Sequence, residues 1–201
     1  MLSVALLLIG SYLFGSIPIG VLVGRARGFD PRAVGSGNIG MTNVTRAGGK
    51  GAGALTFAGD LLKGLIPVLV ARLADFPPTI IAAAGLLAFV GAIYSVFLRF
   101  EGGKGVSASL GVWLGIAPIP VLIALAVFII VFALWRIVSL ASICAAIVLP
   151  PAAAILALPR PYVGLAIVMT ALVLLRHHEN ITRLIRGEEP AVARKDGAKP
   201  V

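Results

Sequence analysis

The chain has 201 residues, 59% of them hydrophobic and only 12% charged, with a formal net charge of +9 and a mean hydropathy of +1.05. A soluble domain carries roughly a quarter charged residues, so the composition excludes a water-soluble globule and points to an all-α, polytopic membrane protein. The basic residues lie at segment ends without interleaved aromatics, which excludes nucleic acid as a partner and suits lipid head groups or a phosphorylated substrate.

Leu2–Val23 is the first apolar span, interrupted at Gly15-Ser16-Ile17-Pro18, where Pro18 removes a backbone donor and kinks the helix. No basic region precedes it and it is long for a signal-peptide core, so it reads as a retained helix. Arg25–Gly53 is a polar connection. Within it, Gly35 to Arg46 crowds small, polar and cationic residues into twelve positions. Glycines such as Gly37 let backbone amides approach an anion. Ser36, Asn38, Thr42 and Asn43 add neutral donors, and Arg46 adds a fork suited to phosphate or carboxylate. A solvated turn between two membrane helices is the alternative reading of the same stretch.

Ala54–Leu73 is the second span. Asp60 and Lys63 share one of its faces and can pair. Ionised groups at depth cost roughly 2.5–3.5 kcal/mol each, so both should face the bundle interior. Pro77-Pro78 turns the chain into a third span, Thr79–Leu98. The next turn holds Glu101-Gly102-Gly103-Lys104-Gly105, where glycines expose amides, Lys104 brings charge and a helix begins just after. It is not the Gly-x4-Gly-Lys-Ser/Thr loop of nucleotide hydrolases. Its alternative reading is a glycine turn with a snorkelling lysine.

Two short segments, Val106–Ala117 and Val121–Trp135, flank the Pro118–Pro120 turn. Arg136–Ser142 opens a sixth segment that ends near Pro150-Pro151 or somewhat beyond; Ser139 reads as a helix cap and Ser142, one turn deeper, as a candidate ligand. Pro159-Arg160-Pro161 precedes the seventh segment, Tyr162–Leu175. His177 and Asn180 then share a helix face and can address one ligand. Arg176 reads equally as a topogenic cation, Arg183 and Arg186 as contacts to lipid phosphates, and His178 has no assigned role. Two histidines are too few for a metal cage, so no metal or cofactor is expected. The single Cys144 excludes an intramolecular disulfide and reads as a small buried hydrophobe. Residues 1–187 form one helical domain, followed by a polar tail, 188–201, expected to fray.

With seven spans, all 17 Lys and Arg residues except Lys63, Arg72 and Arg160 fall on one side. The positive-inside rule makes that side cytoplasmic and puts the N-terminus outside. All four polar clusters lie on the same side, which implies one shared site. There is no Ser-His-Asp order, no Gly-x-Ser-x-Gly elbow, and no His-x4-Asp pair of the kind thioester-dependent acyltransferases use.

Six motifs occur in order along nearly the whole chain: Gly15-Ser-Ile-Pro18, the Gly35–Arg46 run, Asp60-x-x-Lys-Gly64, Phe100-x-Gly-Gly-Lys-Gly-Val106, Ser139-Leu-Ala-Ser-Ile143 and Arg176-His-x-x-Asn-Ile181. Together they resemble the integral-membrane acyl-phosphate:glycerol-3-phosphate acyltransferases of bacteria. The resemblance implies a seven-helix enzyme of the bacterial inner membrane whose site faces the cytoplasm. Such enzymes move a fatty acyl group from acyl phosphate to the 1-hydroxyl of glycerol 3-phosphate, giving lysophosphatidate and inorganic phosphate for phospholipid biosynthesis. It also implies membrane lipids as surroundings and an upstream enzyme that supplies acyl phosphate. By matching position, Ser36, Asn38, Thr42, Asn43, Arg46, Lys104, Ser142, His177 and Asn180 would line the site, with Gly37 and Gly103 in the same motifs. Lys104 and Arg46 are the expected charge stabilisers, and His177 either a base or a phosphate ligand.

One departure stands out. The family's Gly-His-x-x-Pro before the glycine turn is Gly91-Ala92-Ile93-Tyr94-Ser95 here. Two other readings stay open on the residues alone. One is a transporter of an organic phosphate anion, although no internal repeat is visible. The other is an inactive, lipid-binding paralogue, suggested by Ala92.

Overall fold

The structure, a computed structural model, describes residues 1–192. Helices α1 (Leu2–Ser16) and α2 (Ile19–Ala26) form one path bent by 41° at Ile17-Pro18. Pro18 cannot donate to the helix ladder, so the break frees carbonyls that lipid cannot satisfy. Lys63 Nζ donates to the Ile17 carbonyl at 2.9 Å and pairs with Asp60 at 2.9 Å. The two charges of the second span therefore close the break in the first.

Helix α3 (Met41–Leu73) is longer than expected, because much of the polar connection from Arg25 to Gly53 is helical. It takes up the chain at Met41 rather than Ala54 and kinks at Gly49, whose φ of 79° only glycine adopts readily. Helix α4 (Pro78–Ile93) is followed by a 3₁₀ turn at Val96–Leu98. Then come α5 (Val106–Ile116), α6 (Pro118–Trp135), α7 (Val138–Ile155), α8 (Arg160–Arg176) and α9 (His178–Ile185). Helix α7 runs on through Pro150 and Pro151. Pro150 cannot donate to the Ala146 carbonyl, and Thr170 Oγ1 of α8 donates to that carbonyl instead, at 2.7 Å.

Close packing rests on glycine at reciprocal positions. A Cβ on Gly64 would lie 2.0 Å from the Ala108 carbonyl oxygen, and one on Gly111 would lie 1.9 Å from that of Leu61, so α3 and α5 meet backbone to backbone. Helices α1 and α4 meet the same way through Gly15 and Gly91. Phe89, Ile93, Val112, Trp113 and Met169 fill the centre and are almost fully buried. Leu6, Ile9, Leu122, Ile129 and Ile167 face outward and are exposed, as a surface solvated by lipid requires.

Among the described residues, four helical stretches are long and apolar enough to cross a membrane, and the bent pairs α1–α2 and α8–α9 bring the number to six. Helix α5 makes the seventh apolar segment, but its 11 residues reach only about 16 Å, roughly half the hydrocarbon thickness. The tail does not fray where it leaves α9. The Val192 N–H donates to the Arg136 carbonyl at 2.9 Å, and Glu189 reaches back into the bundle. Residues 193–201 of the expected tail lie outside the described residues. Cys144 is half-buried rather than buried.

Gly111→Ala places its methyl against the Leu61 carbonyl and should push α3 and α5 apart. Overpacking of this kind costs typically about 1–3 kcal/mol, so the thermal midpoint in detergent should fall. An unchanged midpoint would show that the two helices do not meet there.

Candidate active site

The four polar clusters meet in one cavity of about 880 Å³. Its polar end is lined by Ser36, Asn38, Thr42, Arg46, Lys104, Ser142, His177 and Asn180. From there it continues as an apolar channel between α5, α6 and α7, past Trp113, Leu125, Phe128 and Leu149. On α7, Ser142, Ala145, Ala146 and Leu149 follow at helical spacing and lead from one chemistry to the other along a single face.

The Gly35–Arg46 stretch is organised by Asn43, which is 2% exposed. Its amide nitrogen lies 2.8–2.9 Å from the carbonyl oxygens of Pro31, Val34 and Asn38, and its Oδ1 accepts the Ser36 N–H. Asn43, expected as a substrate donor, therefore spends its polar atoms on the loop. Gly37 turns the chain at a φ of 68° and is absent from the cavity wall, so its part is conformational. Asn38 Oδ1 accepts the Gly40 N–H ahead of α3, and among the described residues its amide nitrogen has no acceptor. Among the described residues, the Ser36 and Thr42 hydroxyls have no hydrogen-bond partner and Arg46 has no acidic one. These groups face the cavity uncommitted.

The glycine turn is gripped from two sides. The Gly103 N–H donates to the Ala92 carbonyl at 3.0 Å, while Arg176 donates to the carbonyls of Gly102 (2.9 Å) and Gly103 (3.3 Å). A Cβ on Gly102 would lie 2.5 Å from the Ala92 oxygen, so this approach needs glycine. Lys104 Nζ donates to Asn180 Oδ1. The other end of that amide donates to Glu189, whose carboxylate also accepts from Ser139 Oγ (2.6 Å) and Arg183 Nε (2.7 Å). Ser139 is thus a carboxylate ligand rather than a cap, and Arg183 lines the cavity rather than serving only the lipid. Glu189 lies in the polar tail, and nothing in its spacing marks it for the site. Burial pushes the Glu189 carboxyl up, but the hydrogen bonds from Ser139, Asn180 and Arg183 outweigh it and hold the group below the usual range. Burial pushes the Lys104 ammonium down, against the opposing pull of Glu189.

His177 sits in the break where α8 and α9 bend by 63°. Its Nδ1 is 2.8 Å from the Val173 carbonyl, which can only accept, so Nδ1 carries the proton and Nε2 is left as an acceptor. Burial depresses its pKa to about 4. The Ser142 hydroxyl donates to the Val138 carbonyl at 2.8 Å, so it must re-aim to serve a ligand. His178 is exposed and outside the cavity.

A bundle of apolar helices whose cationic, glycine-rich chamber opens into an apolar channel is built to handle an anionic head and a hydrocarbon tail together. That is an integral-membrane protein for amphiphilic phosphate chemistry. The family model for glycerol-3-phosphate acyltransferase matches residues 5–187. The chain is 51% identical over 189 residues to the glycerol-3-phosphate acyltransferase of Geotalea daltonii, covering 94% of this chain and 97% of that one. It is 53% identical, over the same shares, to that of Geobacter metallireducens. Crystal structures of PlsY (YgiH), an integral membrane glycerol 3-phosphate acyltransferase, superpose with TM-scores of 0.92 for the glycerol 3-phosphate form and 0.90 for the lysophosphatidic acid form. They are 42% and 41% identical, each covering 95% of this chain and 96% of the other. The protein belongs to the glycerol-3-phosphate acyltransferase family.

Because the folded state holds His177 neutral down to a pKa of about 4, against about 6.5 when unfolded, the sign of its linkage is set. Its contribution to stability is complete above pH ~6.5 and is lost as pH falls toward 4, since the unfolded chain takes the proton first. Thermal midpoints measured between pH 7 and 4 should show this slope, and His177→Asn should flatten it. The same slope in the variant would remove His177 as its source.

Proposed function

We propose that the protein transfers a fatty acyl group from acyl phosphate to the 1-hydroxyl of glycerol 3-phosphate, giving lysophosphatidate and inorganic phosphate. The observation that carries this reading is the single cavity in which the Arg46 and Lys104 chamber runs directly into an apolar channel. Both substrates bring phosphate, and one of them brings a tail. The forms in which PlsY was solved, with glycerol 3-phosphate and with lysophosphatidic acid, support the acceptor and the product. The charge asymmetry supports a bacterial inner-membrane protein with its N-terminus outside and its site open to the cytoplasm. An upstream enzyme would supply the acyl phosphate.

Acyl phosphate is a mixed anhydride and already activated, so a protein nucleophile is not needed. The 1-hydroxyl oxygen attacks the acyl carbon, a tetrahedral oxyanion forms, and the bond to the phosphate oxygen breaks. The enzyme's work is to position the two reactants and neutralise charge. Lys104 and Arg46 supply the positive charge, and the Ser36, Thr42 and Asn38 donors hold phosphate oxygens. Asn180 works by holding Lys104 in place, Ser142 by turning its hydroxyl to a ligand, and Gly37, Asn43 and Gly103 by shaping the backbone around the anion. The attacking hydroxyl must lose a proton. As the bond between the acyl carbon and the phosphate oxygen breaks, negative charge develops on the leaving phosphate, which takes the proton and departs as inorganic phosphate. His177 Nε2 accepts a hydrogen bond from the hydroxyl and aims it.

The departure at residues 91–95 leaves this set intact. The residue in the histidine's place, Ala92, contributes its carbonyl to Gly103, and Ser95, in the proline's place, donates to the Ser16 carbonyl at 2.6 Å.

Phosphate release from a long-chain acyl phosphate by the purified protein should require glycerol 3-phosphate and yield lysophosphatidate. Release without the acceptor, or none from a folded preparation, would reject the reaction. Lys104→Ala should lower the rate by about 10²–10³-fold, as removal of a preorganised charge donor does.

A further inference from the structure

Arg176 lies outside the cavity wall, yet its guanidinium reaches two consecutive carbonyls of the glycine turn, Gly102 at 2.9 Å and Gly103 at 3.3 Å. It also sits 5.5 Å from the centre of the Tyr94 ring. Tyr94 is itself fixed, since its N–H donates to the Val90 carbonyl at 2.7 Å and its carbonyl accepts from the Tyr12 hydroxyl at 2.9 Å. We propose that Arg176, stacked on Tyr94, is a positioning residue that sets the direction of the Lys104 backbone amide and so arms the glycine turn for phosphate.

The reason is the planarity of the peptide unit. Across a trans peptide the C=O of one residue and the N–H of the next point in opposite directions. Fixing the Gly103 carbonyl on Arg176 aims the Lys104 N–H the other way, and among the described residues that N–H has no acceptor. The Gly103 N–H is already held by Ala92 from the α4 side, so the two grips leave the turn no rotation about its own axis. Helix α8 contributes Arg176 to the backbone of the turn. After the bend at His177, α9 contributes Asn180 to the Lys104 side chain. The bent pair α8–α9 thus fixes both the amide and the ammonium of Lys104.

A lysine at position 176 keeps the positive charge at the membrane edge but provides neither a planar fork for two carbonyls nor a flat face for Tyr94. Arg176→Lys therefore separates positioning from topogenesis. This inference rests on the proposed phosphate site at the turn, so the experiment reads two quantities on purified, folded protein: acyl-phosphate turnover, and the affinity for inorganic phosphate by calorimetry. Arg176→Lys should lower kcat/KM by about 10²-fold, the scale of a misplacement near 1 Å. It should weaken inorganic phosphate binding while leaving the thermal midpoint in place. Tyr94→Leu should move both readouts the same way by less, and guanidinium in solution should partly restore Arg176→Ala where ammonium does not. Wild-type kcat/KM and phosphate affinity in Arg176→Lys would overturn the proposal, as would losses that follow the midpoint and resist guanidinium. If the wild-type protein binds phosphate but turns over no acyl phosphate, the reaction falls. Phosphate affinity in the variant then decides Arg176 by itself.

Discussion

Five backbone carbonyls at helix breaks, helix ends and the glycine turn are taken by side chains from other parts of the bundle. Lys63 takes Ile17, Thr170 takes Ala146, Arg72 takes Gly115, and Arg176 takes the glycine turn. In water such groups would cost little, because solvent would bind them. In hydrocarbon each unmet carbonyl costs several kcal/mol, so breaks survive only where a donor arrives from a neighbour. The chain nevertheless breaks its helices repeatedly, at Pro18, Gly49 and His177. Those breaks are useful because they let polar backbone and side chains enter a bundle that would otherwise be apolar throughout.

The site shows how charge is arranged under the same constraint. The chamber must attract phosphate dianions without collapsing onto itself. One carboxylate, Glu189, gathers Ser139, Asn180 and Arg183 at one wall. Its effect reaches Lys104 through the Asn180 amide, whose nitrogen is held by the acid and whose oxygen faces the ammonium. Across the cavity Arg46 is left without an acidic partner among the described residues and stays available to a substrate. The pair of half-buried Asp60 and buried Lys63, also on the cavity wall, is balanced internally and serves the α1–α2 break. Cations with similar formal charge thus do different work according to what already neutralises them.

The absence of the family's histidine at position 92 becomes understandable on these terms. What the turn takes from that residue is its carbonyl, which any side chain leaves in place. The neighbouring Tyr94 and Ser95 join the turn to α1 and α8 through groups that sequence comparison alone gives no reason to connect.

Much of this was legible in the residue string. Apolar runs, proline breaks and basic segment ends define a helical membrane protein because lipid permits few alternatives. The six motifs mark the family and most of the polar wall of the cavity, since phosphate chemistry needs glycine, hydroxyl, amide and cation together. What the string could not reveal was how each group is used. Asn43 and Asn180 look alike as free donors, yet one is consumed by a loop and the other by a lysine and a glutamate. Glu189 looked like solvated tail, and Ser139 like a cap, until they met across fifty residues of chain. Hydrogen-bond partners are chosen by proximity in space, and only the tertiary structure decides which polar atoms remain unspent for a substrate.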